Sequence, residues 1–273
     1  FEERYCQGHW REGRSGKRWQ ASGASQLEEL RRLTRPLILH RRKQQVVDLP
    51  PKQRRLHPVA LSEAELTGFD HRVELVLDDY RRRAQLGEVR RDAEHLALLT
   101  SMRQIAAEFK LPAAQQLVES LRRQGEAVVL FSGFVAPLQL LQQTLGGELL
   151  TGRQRPAARQ ESVDRFQQGH NDCLLATFGT GALGFTLHRA RHVVLLERPW
   201  TPGDLDQAED RCHRLGMGDS LTCHWLQLGA ADQLVDGLLA STAERIEVLL
   251  GPRRLSLQRQ SLPAMVRDCL QLL

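Results

Sequence analysis

The chain has 273 residues, of which 41% are hydrophobic, 26% charged and 5% aromatic, and this is the composition of an ordinary folded protein. It excludes intrinsic disorder, collagen and disulfide-built scaffolds, and the length fits one large domain or two smaller ones. The net charge of +5 is uneven, because residues 1–60 carry 14 basic and 6 acidic side chains. Such asymmetry indicates either a polyanion bound near this end or a solvated arginine-rich surface, and charge alone favours neither.

The N-terminal stretch, 1–51, divides into two parts. Residues 1–26 are rich in Gly, Ser, Arg and Trp without a hydrophobic period, which predicts irregular structure that contributes little to a core. From Leu27 a helical pattern leads into the basic cluster 40–43 (His-Arg-Arg-Lys) and stops at Pro50-Pro51, where we expect a linker or hinge.

The next stretch, 52–111, is predicted to be mainly helical after a short strand within 52–61. Ser62 and Glu65 have the spacing of a capping box at the start of a helix. Further along, an apolar stripe predicts a helix face that packs into the core. Its members are Leu96, Leu99, Met102 and Ile105 or Ala106.

From residue 112 to 251, short apolar runs alternate with helical stretches. The runs are 127–131, 173–176, 192–196 and 222–226. Fully apolar strands separated by helices are typical of a parallel sheet covered on both faces. The predicted fold class is therefore α/β, a doubly wound parallel sheet flanked by helices and preceded by a mainly helical N-terminal segment. Residues 252–273 are predicted to form a helical extension.

The cysteines bear on redox state and metal binding. Five of them occur without a C-x-x-C pair, so we expect a reducing, intracellular compartment. Cys212-His213 and Cys223-His224 suggest zinc, but adjacent side chains point apart and the usual short ligand spacing is absent. We therefore expect no metal cluster.

The longest uncharged stretch, 127–147, is long enough to cross a bilayer. It contains glutamines and a proline, however, and so predicts a buried strand followed by a helix. We therefore expect no membrane partner. The chain starts at Phe1 without an initiator methionine or a signal sequence, and we expect it to be a piece of a longer protein.

Ligands of doubly wound sheets bind at the carboxyl ends of the strands. After the first apolar run, Ser132-Gly133 offers a hydroxyl and accessible backbone N–H groups to an anion. After the second run, 176–187 contains three glycines and three threonines, but it lacks the lysine of a phosphate-binding P-loop. An ordinary strand-to-helix turn is an equally good interpretation of the first segment, and a lone glycine-rich loop is weak evidence for a site.

Gln207, Arg211 and Arg214 have the spacing i, i+4 and i+7. On a helix that ends at Gly216, all three side chains would project from one face. Two arginines and an amide on one face can bind the charged oxygens of a phosphate chain. The alternative is a surface helix with salt bridges to the nearby Glu209 and Asp210.

These blocks together resemble a known family. The string 207–216 (QAEDRCHRLG) is similar to the last helicase motif of Swi/Snf-family DNA-dependent ATPases, which reads Q-A-x-x-R-x-x-R-x-G-Q. Upstream, the basic cluster 40–43 with 46–52 (VVDLPPK) resembles the inter-lobe segment, and the first 30 residues are closest to the annealing-helicase branch. The other family blocks follow in order: 130–134 (LFSGF), Thr151-Gly152 with Arg159 and Phe166, the glycine loop 177–187, and Trp200-x-Pro202.

The resemblance implies the second RecA-like lobe of a two-lobed motor. On this basis 1–51 is the tail of the first-lobe region with the inter-lobe segment, 52–111 a protrusion or linker, and 112–251 the lobe itself. The sequence has no Walker A loop and no D-E-x-H motif, so the implied partner is a first lobe of the same polypeptide. The implied cofactors are ATP and Mg²⁺, with the metal held mainly by that first lobe, and the implied substrate is double-stranded DNA bound without sequence preference.

The resemblance also implies roles for single residues. Arg211 and Arg214 would be catalytic arginine fingers, and Gln207, Gly181 and Gly184 would contact ATP. Ser132, Gly152, Arg159, Thr177 and Trp200 occupy positions that contact DNA in the family.

The chain also departs from the family pattern. Met217, Thr201 and Ala182 replace a glutamine, an asparagine and a glycine, which bears on the fine geometry of nucleotide contact. Two alternatives are a non-catalytic DNA-binding or regulatory protein that keeps the lobe fold, and a superfamily-two RNA helicase, whose last motif usually has an arginine where Met217 stands.

Overall fold

The computed structural model describes the chain except for residues 14–15, 22, 40–42, 87–90, 182–183 and 251–273. The described residues form two compact units. One contains Phe1–Val46 with the end of the last helix from Ala240, and the other is Val47–Leu239. Most of the basic cluster, Ala182 and the predicted extension 252–273 lie outside the described residues.

The N-terminal unit contains a β-hairpin. Its elements are α1 (Glu2–Tyr5), β1 (His9–Gly13), β2 (Gly16–Gln20), α2 (Leu27–Thr34) and α3 (Lys43–Val46). β1 and β2 pair antiparallel with Trp10 opposite Trp19, and the two rings meet edge to face at 5.4 Å. The prediction of irregular structure for 1–26 is therefore wrong. A cross-strand aromatic pair stabilises a hairpin even where the sequence lacks a hydrophobic period.

The larger unit is built on a six-stranded sheet in the order β3-β8-β7-β4-β6-β5, and every neighbouring pair is parallel. This confirms the predicted α/β doubly wound fold. The four apolar runs form β4, β6, β7 and β8, whereas β5 had no counterpart in the predicted elements. The strands are β3 (Lys52–Pro58), β4 (Val128–Ser132), β5 (Glu148–Leu150), β6 (Cys173–Thr177), β7 (His192–Leu195) and β8 (Leu221–Gln227).

Helices cover both faces of the sheet. Val129 and Phe131 of β4 belong to one core cluster, and Val128 and Leu130 belong to the cluster on the opposite face. Each such buried side chain contributes about 1.5–3 kcal/mol to the free energy of folding. The helices are α4 (Glu63–Gln85), α5 (Arg91–Phe109), α6 (Leu111–Arg123), α7 (Val135–Leu145), α8 (Pro156–Gln167), α9 (Phe178–Gly181), α10 (Pro202–Glu209) and α11 (Gly229–Leu250).

The uncharged stretch 127–147 forms β4 followed by α7, as the sequence predicted. Both elements contribute buried residues to the core on one side of the sheet. Within the described part of the chain, no helix has both the length and the apolar character needed to span a bilayer.

The stretch 52–111 supplies both an edge strand and two helices. The predicted capping box is present at the start of α4, where Ser62 and Glu65 exchange hydrogen bonds. Leu99 of α5 is buried against α4, but Leu96 is 41% exposed, and the predicted apolar stripe is wrong at that position. Leu98 takes its place in the core. The division of the chain into four segments stays a prediction.

Candidate functional site

Three of the predicted site residues lie where parallel strands end: Ser132, Gly152 and Thr177. Ser132 ends β4, Thr177 ends β6, and the two residues are partners in the sheet register. Gly152 lies two residues after β5, and Glu197 lies two residues after β7. This edge is where ligands of doubly wound sheets bind.

Ser132 is fully buried and does not face solvent. Its hydroxyl lies 3.0 and 3.2 Å from the carboxylate oxygens of Glu197, and it accepts a hydrogen bond from the backbone N–H of Phe134. The Gly133 N–H also donates to Glu197. Burial raises the pKa of Glu197, although the charge of Lys110 opposes this. In this geometry Ser132 fixes the turn after β4, and its predicted contact with DNA stays a prediction.

The glycine loop is tied to the neighbouring strand. The hydroxyls of Thr177 and Thr180 lie 2.9 Å apart, and Thr180 donates to the carbonyl of Leu150 at the end of β5. Gly181 ends the short helix α9, and Gly184 has a φ of +87°, a conformation that favours glycine. Thr177 is thus held at the sheet edge with its hydroxyl partly accessible.

Arg159 and Gly152 lie near the end of β5. Gly152 is exposed, and Arg159 is half-buried on α8 with an Nε that has no hydrogen-bond partner among the described residues. A guanidinium N–H without a partner favours a negatively charged ligand. Gly152 is thus open to solvent, whereas the Nε of Arg159 is buried, and the DNA contact of both residues stays a prediction.

The two arginines do not lie on a helix, so the prediction of one helical face is wrong for them. α10 ends at Glu209, and residues 210–216, here called the arginine turn, form successive turns. The N–H of Leu187 in the glycine loop donates to the Arg211 carbonyl at 2.8 Å, and Cys212 is fully buried in the core. These two contacts draw the chain away from the helix axis. Gln207 stays on α10 and is exposed.

Arg211 is the most unusual cation of the site. Its side chain is 8% exposed, and its Nε has no hydrogen-bond partner among the described residues. Burial, and next the positive charge of Arg214, lower the pKa of Arg211. Arg214 donates to the hydroxyl of Thr186 at 2.9 Å and to the Asp210 carbonyl at 3.2 Å. Two guanidiniums whose charges act on each other, one of them incompletely hydrogen-bonded, are suited to bind an anion.

The residues around Trp200 explain one departure from the family pattern. Thr201 is the N-cap of α10, and its hydroxyl accepts from the N–H of Asp204 at 3.1 Å. Threonine and asparagine both serve as N-caps, so this replacement keeps the cap.

Trp200 itself is half-buried, and the guanidinium of Arg103 lies 4.3 Å from its ring centre. Met217 is buried in the same core cluster as Cys212.

The sequence reasoning missed a set of buried charges beside this edge. Lys110 and Asp232 are both buried and form an ion pair of 2.6 Å between α6 and α11. Arg198 is 1% exposed, with two hydrogen bonds to Asp236. One signal was present: Glu197 and Arg198 follow directly on an all-apolar strand, a place where charged side chains have to be compensated.

The cysteines and histidines that suggested zinc make other interactions in the structure. Burial raises the pKa of Cys212 and Cys223, so both thiols stay protonated. His224 lies between His57 and His192 in a row of hydrogen-bonded rings, with N–N distances of 2.9 and 3.0 Å. Among the residues that the structure describes, no group of three or more histidines, cysteines or carboxylates is arranged to hold a metal ion.

The chain is similar to known proteins along most of its length. Residues 110–216 match the helicase conserved C-terminal domain. The chain is 28% identical to the DNA annealing helicase and endonuclease ZRANB3 of Bos taurus, over 95% of this chain and 25% of that protein. It is 32% identical to the SWI/SNF-related matrix-associated actin-dependent regulator of chromatin subfamily A-like protein 1 of Xenopus tropicalis, over 85% of this chain and 25% of that protein. This chain carries a C-terminal helicase lobe of the Swi/Snf type.

Solved structures share the fold of this Swi/Snf-type lobe. The C-terminal part of the Fun30 ATPase domain superposes with a TM-score of 0.59 at 16% identity, covering 81% of this chain and 97% of that one. The Sulfolobus solfataricus SWI2/SNF2 ATPase core in complex with double-stranded DNA gives a TM-score of 0.51 at 20% identity, over 83% and 56% of the two chains. The chain spans about a quarter of the length of the curated relatives named above.

Proposed function

We propose that this chain is the second lobe of a DNA-dependent ATPase that couples ATP hydrolysis to movement along double-stranded DNA. The observation that carries the proposal is the arginine turn, where the buried Arg211 has an unpartnered Nε beside Arg214. Such a pair can neutralise negative charge that grows on a phosphate during hydrolysis. The ATPase and helicase names of the relatives support the same function.

The arginines supply the main catalytic contribution of this lobe. Bound ATP with its Mg²⁺ supplies a transferable phosphoryl group, and we expect the metal to be held mainly by a first lobe. Arg211 and Arg214 would face that group from the second lobe, with Arg214 anchored to Thr186 in the glycine loop. Gly181, Gly184 and Gln207 would lie against the nucleotide. The isolated chain is expected to be inactive, because it lacks the phosphate loop and the magnesium carboxylates.

Double-stranded DNA is the proposed substrate of the movement. Gly152 and Thr177 carry backbone N–H groups and a hydroxyl at the sheet edge, and the half-buried Arg159 adds a positive charge on α8. Contacts of this type bind phosphate oxygens without reading bases, so binding should be independent of sequence and sensitive to salt. A solved neighbour is a SWI2/SNF2 ATPase core in complex with double-stranded DNA. We place the protein with DNA inside the cell, where it would act in translocation, remodelling or strand annealing.

The test is ATP hydrolysis by a two-lobe polypeptide that contains this chain. We expect turnover that double-stranded DNA stimulates and that the chain alone does not show at any DNA concentration. DNA binding without hydrolysis by the two-lobe polypeptide would favour the alternative of a non-catalytic DNA-binding protein. ATP hydrolysis by the chain alone would contradict the argument that a first lobe supplies the missing catalytic residues.

A further inference from the structure

The residues that lead into the edge strand β3 contact the chain on both sides of Arg211. Residues 50–54, here called the β3 entry segment, meet Glu209 at the end of α10 and His213 within the arginine turn. Glu209 precedes Arg211 by two residues, and His213 immediately precedes Arg214. Nothing in the proposed reaction uses these contacts directly.

Glu209 is the centre of the first contact. Its carboxylate is fully buried and lies 3.0 Å from Lys52 Nζ and 2.7 Å from Arg54 Nη2. Arg54 Nε donates to the same carboxylate at 3.0 Å, and the ring N–H of Trp225 donates at 3.2 Å. Removing one partner of a buried ion pair leaves a charge without compensation, so this contact fixes the position of the residue that ends α10.

The charges of this cluster are stable at neutral pH. Burial by itself would raise the pKa of Glu209, but the hydrogen bonds from Arg54 and the charge of Lys52 outweigh it and lower that pKa. Burial would likewise lower the pKa of Lys52, and the charges of Glu209 and Asp210 outweigh it and raise that pKa. Both directions describe one ion pair that stays charged.

The second contact comes from the backbone. His213 Nε2 donates to the Pro50 carbonyl at 2.7 Å, and the Leu221 N–H donates to the Pro51 carbonyl at 2.9 Å. Proline fixes its own φ, so these two carbonyls belong to a stiff stretch of chain. Within the arginine turn, the N–H groups of Cys212 and His213 both donate to the Glu209 carbonyl, at 3.1 and 3.2 Å, so the position of Glu209 bears directly on the position of the turn.

We propose that the β3 entry segment is a positioning element for the arginine fingers, acting through Lys52 and Arg54 on Glu209 and through Pro50 on His213. The inference rests on the proposed function, since it assumes that Arg211 and Arg214 meet the phosphate. Lys52 and Glu209 are positioning residues and touch no reacting atom. A shift of about 1 Å in a catalytic group can cost about 100-fold in rate, so loss of these contacts should lower kcat.

The kinetic test compares Glu209→Gln and Lys52→Met with Lys52→Arg in the two-lobe polypeptide. We expect kcat for DNA-stimulated hydrolysis to fall about 10- to 100-fold in the first two, with KM for ATP and DNA affinity changed less than about threefold. Lys52→Arg keeps the positive charge and should restore most of kcat. Glu108→Gln is the matched control, because Glu108 has an ion pair of 2.6 Å with Arg72 far from the arginine turn. A normal kcat in both Glu209→Gln and Lys52→Met would overturn the inference.

Amide hydrogen exchange on the chain itself separates this inference from the proposed function. We expect the amides of residues 210–214 to exchange at least about tenfold faster in Lys52→Met, while those of α4 keep their rates. Lys52 is 20% exposed, so its replacement is tolerated more easily than that of the fully buried Glu209. Unchanged exchange in the turn would overturn the inference even if the two-lobe polypeptide hydrolyses ATP. Faster exchange in Lys52→Met, together with no ATP hydrolysis by the unsubstituted two-lobe polypeptide, would support the positioning role and refute the proposed ATPase function.

Discussion

Glu197 and Glu209 are both fully buried carboxylates, one following β7 and the other ending α10, and they differ in what compensates their charge. Glu197 accepts from the Ser132 hydroxyl and the Gly133 N–H, and burial raises its pKa. Glu209 contacts two cations directly, and their effect exceeds that of burial, so its pKa falls. Neutral donors in contact with Glu197, together with the charge of Lys110, thus offset burial only in part, whereas two cations in direct contact with Glu209 outweigh it.

The two carboxylates also hold different parts of the site. Glu197 fixes the turn after β4, where a neutral hydrogen-bond acceptor would serve nearly as well. Glu209 fixes the start of the arginine turn, where the ion pair is the main fixed contact from the β3 side. Substitutions that remove charge should therefore affect the two places unequally.

The largest expected effect concerns Arg211 and Arg214, which follow Glu209 in the arginine turn. In the two-lobe polypeptide, Arg211→Ala and Arg214→Ala should each lower kcat by roughly 10³–10⁵, the range of arginine fingers in other phosphoryl-transfer enzymes. Arg→Lys should lose almost as much, because an ammonium does not reproduce the planar fork of donors. Steady-state hydrolysis with saturating DNA measures this. Arg165→Ala, which removes a surface ion pair with Glu148, is the control. Near-normal turnover in both arginine variants would show that the turn has no catalytic role.

Isosteric removal of each carboxylate charge tests the comparison directly. Glu209→Gln should lower the free energy of unfolding by about 3 kcal/mol, the lower end for a broken buried ion pair, because Lys52 and Arg54 are partly exposed and keep their contacts with Asp206. Glu197→Gln should cost less than about 2 kcal/mol, because the amide oxygen can still accept from Ser132 and Gly133. Urea denaturation at pH 7, followed by tryptophan fluorescence, gives both values. Equal losses in the two variants would contradict the distinction drawn between them.

The pH dependence of the two variants should have opposite signs. A lowered pKa means that Glu209 stabilises the fold above its unfolded value near 4.3 and loses this as pH falls through the folded value. A raised pKa means that Glu197 costs stability as pH rises from about 4.3 through its folded value. Glu209→Gln should therefore flatten the acid limb of stability, and Glu197→Gln should steepen it.

The smallest expected effect concerns His224, a buried histidine, and the dependence of folding stability on pH. Burial, with the neighbouring His192 and His57, lowers the pKa of His224 to about 3, while the unfolded value is near 6.5. Since the unfolded chain then binds the extra proton, stability should fall by up to about 1.4 kcal/mol per pH unit below pH 6.5. His224→Gln should reduce this slope between pH 7.5 and 5.5, and the exposed His170→Gln should not. An unchanged slope in His224→Gln would mean that this histidine is not held neutral by the fold.

The sheet was predictable because its signal is local. The apolar runs of β4 and β6 are buried on both faces, and such runs are typical of strands in parallel sheets. The strand β5 was not predictable, because its three residues are too few to show a hydrophobic pattern. The order of the strands, and hence the meeting of β3 with α10, depends on contacts between residues about 155 positions apart.

The choice of site residues stays a prediction, and their geometry was not predictable from the sequence. Spacing placed Gln207, Arg211 and Arg214 on one helix, yet a hydrogen bond from Leu187 and the burial of Cys212 end that helix at Glu209. A strand-end hydroxyl suggested that Ser132 would face a ligand, and the structure encloses it against Glu197. In both places contacts between residues far apart in the sequence outweigh the local pattern. Such contacts cannot be recognised from the local sequence alone.

The position of β3 determines where this lobe can be cut. Residues 110–216 match the helicase C-terminal domain, but a fragment limited to them would omit β3 and β8 and would leave β7 as an open edge with unpaired N–H and C=O groups. It would also leave Glu209 buried without Lys52, Arg54 or Trp225. The smallest fragment that keeps the sheet and its buried ion pairs complete therefore begins before Pro50 and ends after Asp236, and so is longer at both ends than the stretch that matches the helicase domain.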